Sequence, residues 1–338
     1  GVAVTKEVYV GLDVPAAPTN ILNQGEGNHV SLSWDASVGS NGGVVFPDGI
    51  TYDIYAVRWD SNGQPQTEGI GSVKGVTTYD FEYPLDEGEQ EYVYFAIQAH
   101  NDAGYSEQMR LSGAELCGKP YGLPMRELFG NEPLQHFWSA TSTGNGGSLN
   151  PAAGVYSEAN AMDADYSGGN ITLRTVCNDV VTLTSGKICL KNVANPALSY
   201  AFKSGATQGT FRVLVTLPSG VGVYLTEEAL TAKDDDWVRK ELSLADYTGY
   251  DWVMVSFVLD DADGFFSEQT VGIDNVNICS RDLSDLGVRI SQCTESLKPG
   301  ETMEGSYVVS NCGFKDINSY TMTLKVGGKV LREETVKE

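Results

Sequence analysis

Apolar residues in this chain recur at every second position and almost nowhere at the spacing of a helix face. Val30 and Leu32 lead to Trp34. Tyr52, Ile54 and Ala56 alternate with Asp53 and Tyr55, and Val93, Phe95, Ile97 and Ala99 alternate with Tyr94, Ala96 and Gln98. The pattern returns in Phe211–Leu217, Val253–Val258 and Val271–Ile278. Successive side chains of a strand point to opposite faces, so this period selects half-buried strands over helices. Turn formers stand between the runs: Ser40-Asn41-Gly42-Gly43, Ser61-Asn62-Gly63, Gly144-Asn145-Gly146-Gly147 and Pro218-Ser219-Gly220. Short strands punctuated in this way predict an all-β chain of tandem β-sandwiches rather than βαβ units.

A chain of 338 residues has room for two or three such bodies. Its 22 Lys and Arg stand against 45 Asp and Glu, a formal charge of −23. That balance argues against nucleic acid or an anionic membrane surface as partner, because both are bound through a basic footprint. No apolar run approaches the roughly 20 residues of a membrane span, so membrane insertion is not expected. Three joints divide the chain: the Pro-rich Asp13-Val14-Pro15-Ala16-Ala17-Pro18, then Leu116-Cys117-Gly118-Lys119-Pro120-Tyr121-Gly122, then Ser280-Arg281-Asp282-Leu283-Ser284-Asp285. The expected pieces are a strand of an upstream module (1–12), a module over 13–116, a larger one over 117–281 and a partial one over 282–338. The chain thus reads as part of a longer modular protein.

The first module carries Pro18, Ser31-Leu32-Ser33-Trp34, Tyr52-Asp53-Ile54-Tyr55 and the run Phe95 to Gly104 in the order of a fibronectin type III domain, which it resembles over about 90 positions. Trp34 reads as core. With Ile54, Phe95 and Ile97 pointing inward, Tyr55, Val57, Trp59 and Tyr94 point outward. The resemblance makes their two strands neighbours, so Tyr55, Trp59 and Tyr94 are expected to form an aromatic patch. That patch reads either as cross-strand packing or as a ligand platform.

The second module resembles the jelly rolls of the MAM and cleaved-adhesin type. The matching segments are Leu123 to Phe129, Leu183-Thr184-Ser185-Gly186-Lys187-Ile188-Cys189-Leu190, Asn195 to Phe202, Trp237 with Leu242, Leu244 and Tyr247, and the closing Gly272-Ile273-Asp274-Asn275-Val276-Asn277-Ile278. The resemblance implies that first and last strands lie side by side, and that Asp274 helps hold a calcium ion with Asp163, Asp165 and Glu127 as further ligands. It also implies glycan or protein binding, for which outward aromatics are the physical means. Trp252 flanks inward Val253, Val255 and Phe257, and Trp138 stands beside a Gly/Ser/Thr-rich loop, so both are candidate platforms. Two acidic runs, Asp234-Asp235-Asp236 and Asp260-Asp261-Ala262-Asp263-Gly264, read as solvated turns. The second has Leu259 and Thr270 where a calcium loop needs carboxylates.

The third piece resembles the start of an immunoglobulin-like CARDB repeat through Asp285-Leu286-Gly287-Val288, Leu297-Lys298-Pro299-Gly300-Glu301, Val308 to Gly313 and Leu324 to Val330. As an incomplete sandwich it is expected to leave an unpaired edge, covered by the N-terminal strand or by another chain. On these assignments the cysteines pair as Cys117–Cys279, Cys293–Cys312 and Cys177–Cys189; buried free thiols are the other reading.

No zinc, serine-hydrolase or P-loop motif is present, and His29, His100 and His136 are scattered. The chain is therefore expected to be non-catalytic. Two readings remain open: an extracellular or bacterial cell-surface module that binds a glycan or a host or extracellular protein, and a structural spacer that presents other modules of the parent chain.

Overall fold

The computed structural model describes residues 9–59, 64–107, 109–130, 133–144, 154–157, 168–261, 267–294, 298, 300, 302 and 304–337. Strands dominate, and the helical residues among those described are two short 3-10 turns, Pro47–Gly49 and Ala245–Tyr247. The all-β expectation holds. The chain divides into two compact units, Gly1–Lys119 and Pro120–Glu338.

The first unit contains β1 (Thr19–Glu26), β2 (His29–Asp35), β3 (Thr51–Trp59), β4 (Pro65–Lys74), β5 (Thr78–Glu82), β6 (Glu91–Asn101), β7 (Gly104–Tyr105), β8 (Arg110–Leu111) and β9 (Glu115–Cys117). One sheet has the order β1-β2-β5. The other has the order β4-β3-β6-β7, with β8 and β9 also paired to β6. The period-two residues do what the sequence requires. Val30, Leu32 and Trp34 from one sheet meet Tyr52, Ile54, Val93, Phe95 and Ile97 from the other in one core. Trp34 is 5 % exposed and packs edge-on against Tyr52, with centroids 5.2 Å apart. Phe95 takes Phe81 and Tyr83 edge-on in the same layer. Val57, expected outward, is buried.

The second unit continues with β10 (Met125–Glu127), β11 (Trp138–Ser142), β12 (Gly154–Ser157), β13 (Ile171–Thr175), β14 (Val180–Ser185), β15 (Pro196–Ser204), β16 (Thr210–Thr216), β17 (Gly222–Ala229), β18 (Asp234–Ser243), β19 (Met254–Asp260) and β20 (Gln269–Ser280). A five-stranded sheet, β11-β14-β19-β16-β17, complements a six-stranded one, β12-β13-β20-β15-β18, in which β10 also pairs with β20. The register Met125↔Ile278, Glu127↔Val276 sets the opening strand beside the closing one, as expected. Alternation again supplies the core: Leu198, Tyr200 and Phe202 of β15 and Val271, Ile273, Val276 and Ile278 of β20 against Phe211, Val213, Val215, Val255, Phe257 and Leu259. Phe257 is fully buried and lies within ring contact of Tyr200, Phe211 and Trp138.

Four strands follow: β21 (Leu286–Cys293), β22 (Gly305–Asn311), β23 (Ser319–Val326) and β24 (Lys329–Lys337). They form two separate two-stranded ladders, β21-β22 and β23-β24. Val288 and Ile290 remain 64 % and 68 % exposed, as befits a piece with no opposing sheet among the described residues. Its contact with the sandwich is made by the loop after β22. Arg239 Nη2 donates to Gly313 O at 3.2 Å, the Asn277 amide donates to Cys312 O, and Phe314 lies under the guanidinium groups of Arg239 and Arg281, each 5.4 Å from the ring centre.

Two expected turns are corrected. Asp234 to Asp236 open strand β18 rather than lying in a turn. Asp261 is 2 % exposed, not solvated: it accepts from Gln208 at 3.0 Å and Thr175 at 3.5 Å, and its backbone N–H bonds Asp179 O. Burial raises its pKa, and the neighbouring Asp179 and Asp260 add to that against the hydrogen bonds. Asp263 and Gly264 lie outside the described residues.

Candidate ligand-binding site

The outer face of the six-stranded sheet of the second unit carries a pocket of about 230 Å³ lined by residues of β15, β18, β20 and the loop after β22. Its construction follows from register. Outward positions pair as Arg239↔Ala201 and Glu241↔Ser199 between β18 and β15, and as Ala201↔Asp274 and Ser199↔Asn277 between β15 and β20. Small side chains therefore run down the central strand while large ones stand on both sides. At about 4.8 Å per strand, β18 and β20 are roughly 10 Å apart, which leaves a trough between them. Trp237 closes one end and the Asn311–Cys312 corner the other.

The Trp237 ring reaches across β15 toward Gly272: a β-carbon on Gly272 would lie 2.9 Å from the ring. Only glycine leaves that seat open. Lys203 holds its ammonium 6.0 Å from the ring centre. The indole N–H of Trp237 is buried without a hydrogen-bond partner among the described residues. Across the trough, Asn275 stands in left-handed backbone (φ 48°) within a bulge, where the register of β15 and β20 slips by one residue. That slip turns both Asn275 and Asn277 to the pocket while Ile273, Val276 and Ile278 stay in the core. Glu241 offsets the positive charge nearby, at 3.2 Å from Arg239 and 3.9 Å from Arg281.

The sequence-expected residues divide. Trp59 and Tyr94 do come together on the outer face of the first unit, ring centres 4.7 Å apart and edge-on, with Trp59 46 % exposed. Tyr55 shares that face. Burial raises its hydroxyl pKa, and Asp53 and Tyr105 add to the effect. Further along, His100 stacks on Tyr105 at 4.5 Å and faces Asp53 at 3.3 Å. The rings of this ribbon are largely occupied with one another.

Trp138 is a correction. Its partner in register is Ser185 and the next inward pair is Ala140↔Leu183, so the indole turns inward, 5.2 Å from Phe129 and 6.4 Å from Phe257. It is core wall, not platform. Trp252 does face away from Val253, with the ammonium of buried Lys187 5.0 Å from its ring centre. Trp237 was legible only as a strand marker, because nothing local in sequence reveals that Gly272 lies beneath it.

Glu127 and Asp274 are both buried. Glu127 Oε2 accepts the backbone N–H groups of Gln135 at 3.1 Å and His136 at 3.2 Å, with His136 Nδ1 at 3.4 Å. Asp274 Oδ1 accepts the N–H of Asn275 at 2.6 Å and so caps the bulge. No group of three or more His, Cys, Asp or Glu side chains arranged for a metal occurs among the described residues. Asp163 and Asp165 lie outside those residues, as does the side chain of Cys293.

Two expected cysteine pairings are corrected: Cys177, Cys189 and Cys279 form no disulfide, which removes Cys117–Cys279 and Cys177–Cys189. Cys117 belongs to the core of the first unit and Cys279 to a strand of the second. Cys177 and Cys189 flank opposite ends of β14, a six-residue strand of about 20 Å, far beyond the roughly 7 Å between α-carbons that a disulfide tolerates. Cys312 faces Gly287 on the neighbouring strand.

No helix among the described residues is long and apolar enough to cross a membrane. No protein-family model and no curated protein matches the chain. Solved structures do. A cleaved adhesin domain of Lys-gingipain from Porphyromonas gingivalis is 16 % identical over 47 % of this chain and 99 % of its own, with a TM-score of 0.36. A carbohydrate-binding module of the β-sandwich superfamily is 13 % identical over 80 % of this chain and 100 % of its own, with a TM-score of 0.32. The glycoside hydrolase domain of Endo-D from Streptococcus pneumoniae is 17 % identical over 64 % of this chain and 37 % of its own, with a TM-score of 0.38. At scores this low, none of the three says what this chain binds or does.

Proposed function

We propose that the chain is a non-catalytic, extracellular part of a modular surface protein, and that its second unit binds a neutral oligosaccharide in the Trp237 trough. The observation that carries this reading is the seating of one tryptophan ring over a glycine, with an indole N–H that has no partner among the described residues, beside a groove of small residues flanked by Asn275, Asn277 and Arg239. A flat ring packs against the C–H face of a sugar, while the Asn275 amide and the indole N–H bond its hydroxyls; Asn277 and Arg239 shape the groove from their own bonds to Cys312, Gly313 and Glu241. Glu241 offsets Arg239, and the chain carries −23 overall, so a polyanionic glycan is disfavoured. Paired sheets of three and six strands in the first unit and of five and six in the second support the sandwich architecture that the fibronectin-like and adhesin-like readings require.

The histidines support the absence of catalysis. His29 pairs with Glu82, His100 with Asp53 and His136 with Glu127, each at its own place. Glycosidase chemistry needs two carboxyl groups across one cleft; Glu241 and Asp274 stand on the flanking strands but are bonded to Arg239 and to the Asn275 N–H, and the described residues lining the trough include no carboxylate. The test is a glycan and host-protein array run with and without calcium. Retention of neutral oligosaccharides by the full chain and its loss in Trp237→Ala support the proposal. Absence of any retained glycan contradicts it and favours a spacer. Binding that requires calcium would restore the ion implied by Asp274.

A further inference from the structure

We infer that Tyr156 is a second ring of the same binding face, and that the ligand is a chain of several neutral sugars laid across the sheet from the trough, over Trp237, to β12. The inference rests on the trough being a glycan site. Register places the ring. Val155 of β12 packs on the core, so Tyr156, the next residue along the strand, belongs to the outer face. Cross-strand partners then form one outward row, Tyr156↔Thr172, Thr172↔Gly272 and Gly272↔Lys203, on β12, β13, β20 and β15. Gly272 is the residue on which Trp237 is seated. Tyr156 therefore stands two strands from that seat, roughly 10 Å away at about 4.8 Å per strand.

The two rings are built alike. Each lies against a glycine of the same sheet: a β-carbon on Gly154 would be 3.5 Å from the Tyr156 ring, as one on Gly272 would be 2.9 Å from that of Trp237. Each has a cation at its ring, the Arg174 guanidinium 4.9 Å from the Tyr156 centre and the Lys203 ammonium 6.0 Å from the Trp237 centre. The register partner of Arg174 is Gly154, which leaves its side chain room to lean toward Tyr156. Glu268 Oε1 stands 3.8 Å from Arg174 Nε and offsets its charge, as Glu241 offsets Arg239, so this end too suits a neutral ligand. Between the rings the row is floored by Thr172 and Gly272. One sugar is too narrow to span both rings. A chain that covers Trp237 and continues over Thr172 reaches Tyr156, and the second contact comes at little further entropic cost because the first has already immobilised the chain. The face thus selects its ligand by length.

The test is calorimetric titration of oligosaccharide series, from monosaccharide to hexasaccharide, into the full chain and its Tyr156→Ala, Tyr156→Phe and Trp237→Ala variants. The probes are the β-1,4-linked glucose and mannose series and the series of whichever neutral glycan the array retains. The expected result is an affinity for one series that rises on the order of tenfold between disaccharide and tetrasaccharide in the full chain. Tyr156→Ala should lose that rise while holding the disaccharide within twofold, Tyr156→Phe should keep it, and Trp237→Ala should weaken every length. A rise undiminished in Tyr156→Ala, an affinity already complete with the disaccharide, or a Tyr156→Ala loss that is equal at every length would overturn the inference and leave the Trp237 site standing. No binding to the full chain at any length removes the glycan reading and the inference with it.

Discussion

The outer sheet faces of the two units carry aromatic residues by the same rule, alternation, yet present them to different ends. On the first unit the rings lean on one another: Trp59 on Tyr94, His100 on Tyr105. On the second, Trp237 is seated over Gly272 with the Lys203 ammonium 6.0 Å from its ring centre, beside small side chains and amides. The difference teaches that exposure of an aromatic ring is not what makes a binding face. Polar neighbours do not separate the two, since Arg58, Gln66, Thr67 and Glu68 line a pocket with Trp59; what separates them is the glycine beneath Trp237.

The comparison breaks most violently if the sandwich that supports the trough is hollowed out. Phe257→Ala removes a fully buried ring that touches three others and should cost about 3–5 kcal/mol, read as a drop in denaturation midpoint with the slope unchanged. A cost below 1 kcal/mol would mean that the two sheets are not closed over it. Smaller in stability but sharper in function is Gly272→Ala. The added carbon would lie 2.9 Å from the indole, so the ring must lift, and oligosaccharide affinity should fall on the order of tenfold while the fold persists. Unchanged affinity would detach Trp237 from the site.

The smallest expected effect is electrostatic. Asp261 has a folded pKa raised above its unfolded value by burial. A raised carboxyl favours folding fully below the unfolded pKa, about 4, and that contribution is lost as pH rises through the folded value. At pH 7 the charge is a cost, so Asp261→Asn should raise Tm modestly there and leave it unchanged near pH 3. A destabilised variant at pH 7 would show that the hydrogen bonds from Gln208 and Thr175 outweigh desolvation.

Much of this was legible in the residues. Tyr52, Ile54, Phe95 and Ile97 fixed which way Tyr55, Trp59 and Tyr94 face, because side chains alternate along a strand, although Val57 of the same parity is buried. Trp138 was not legible: its neighbours read as loop, and only its pairing with Ser185 turns it inward. The trough was hidden for a related reason. It depends on Gly272, Ala201 and Arg239 meeting across three strands, and on a one-residue slip at Asn275 that no local pattern announces. The Cys177–Cys189 pairing failed because spacing along a chain says little about separation across a sheet, as the length of β14 between the two makes plain.

The most direct test of the central claim is calorimetric titration of one neutral oligosaccharide, chosen from the array, into the full chain and into its Trp237→Ala and Trp59→Ala variants. The account predicts that binding survives Trp59→Ala within twofold and falls by at least about tenfold, roughly 1.4 kcal/mol, in Trp237→Ala. The reverse pattern, with Trp237 dispensable and Trp59 required, would contradict it.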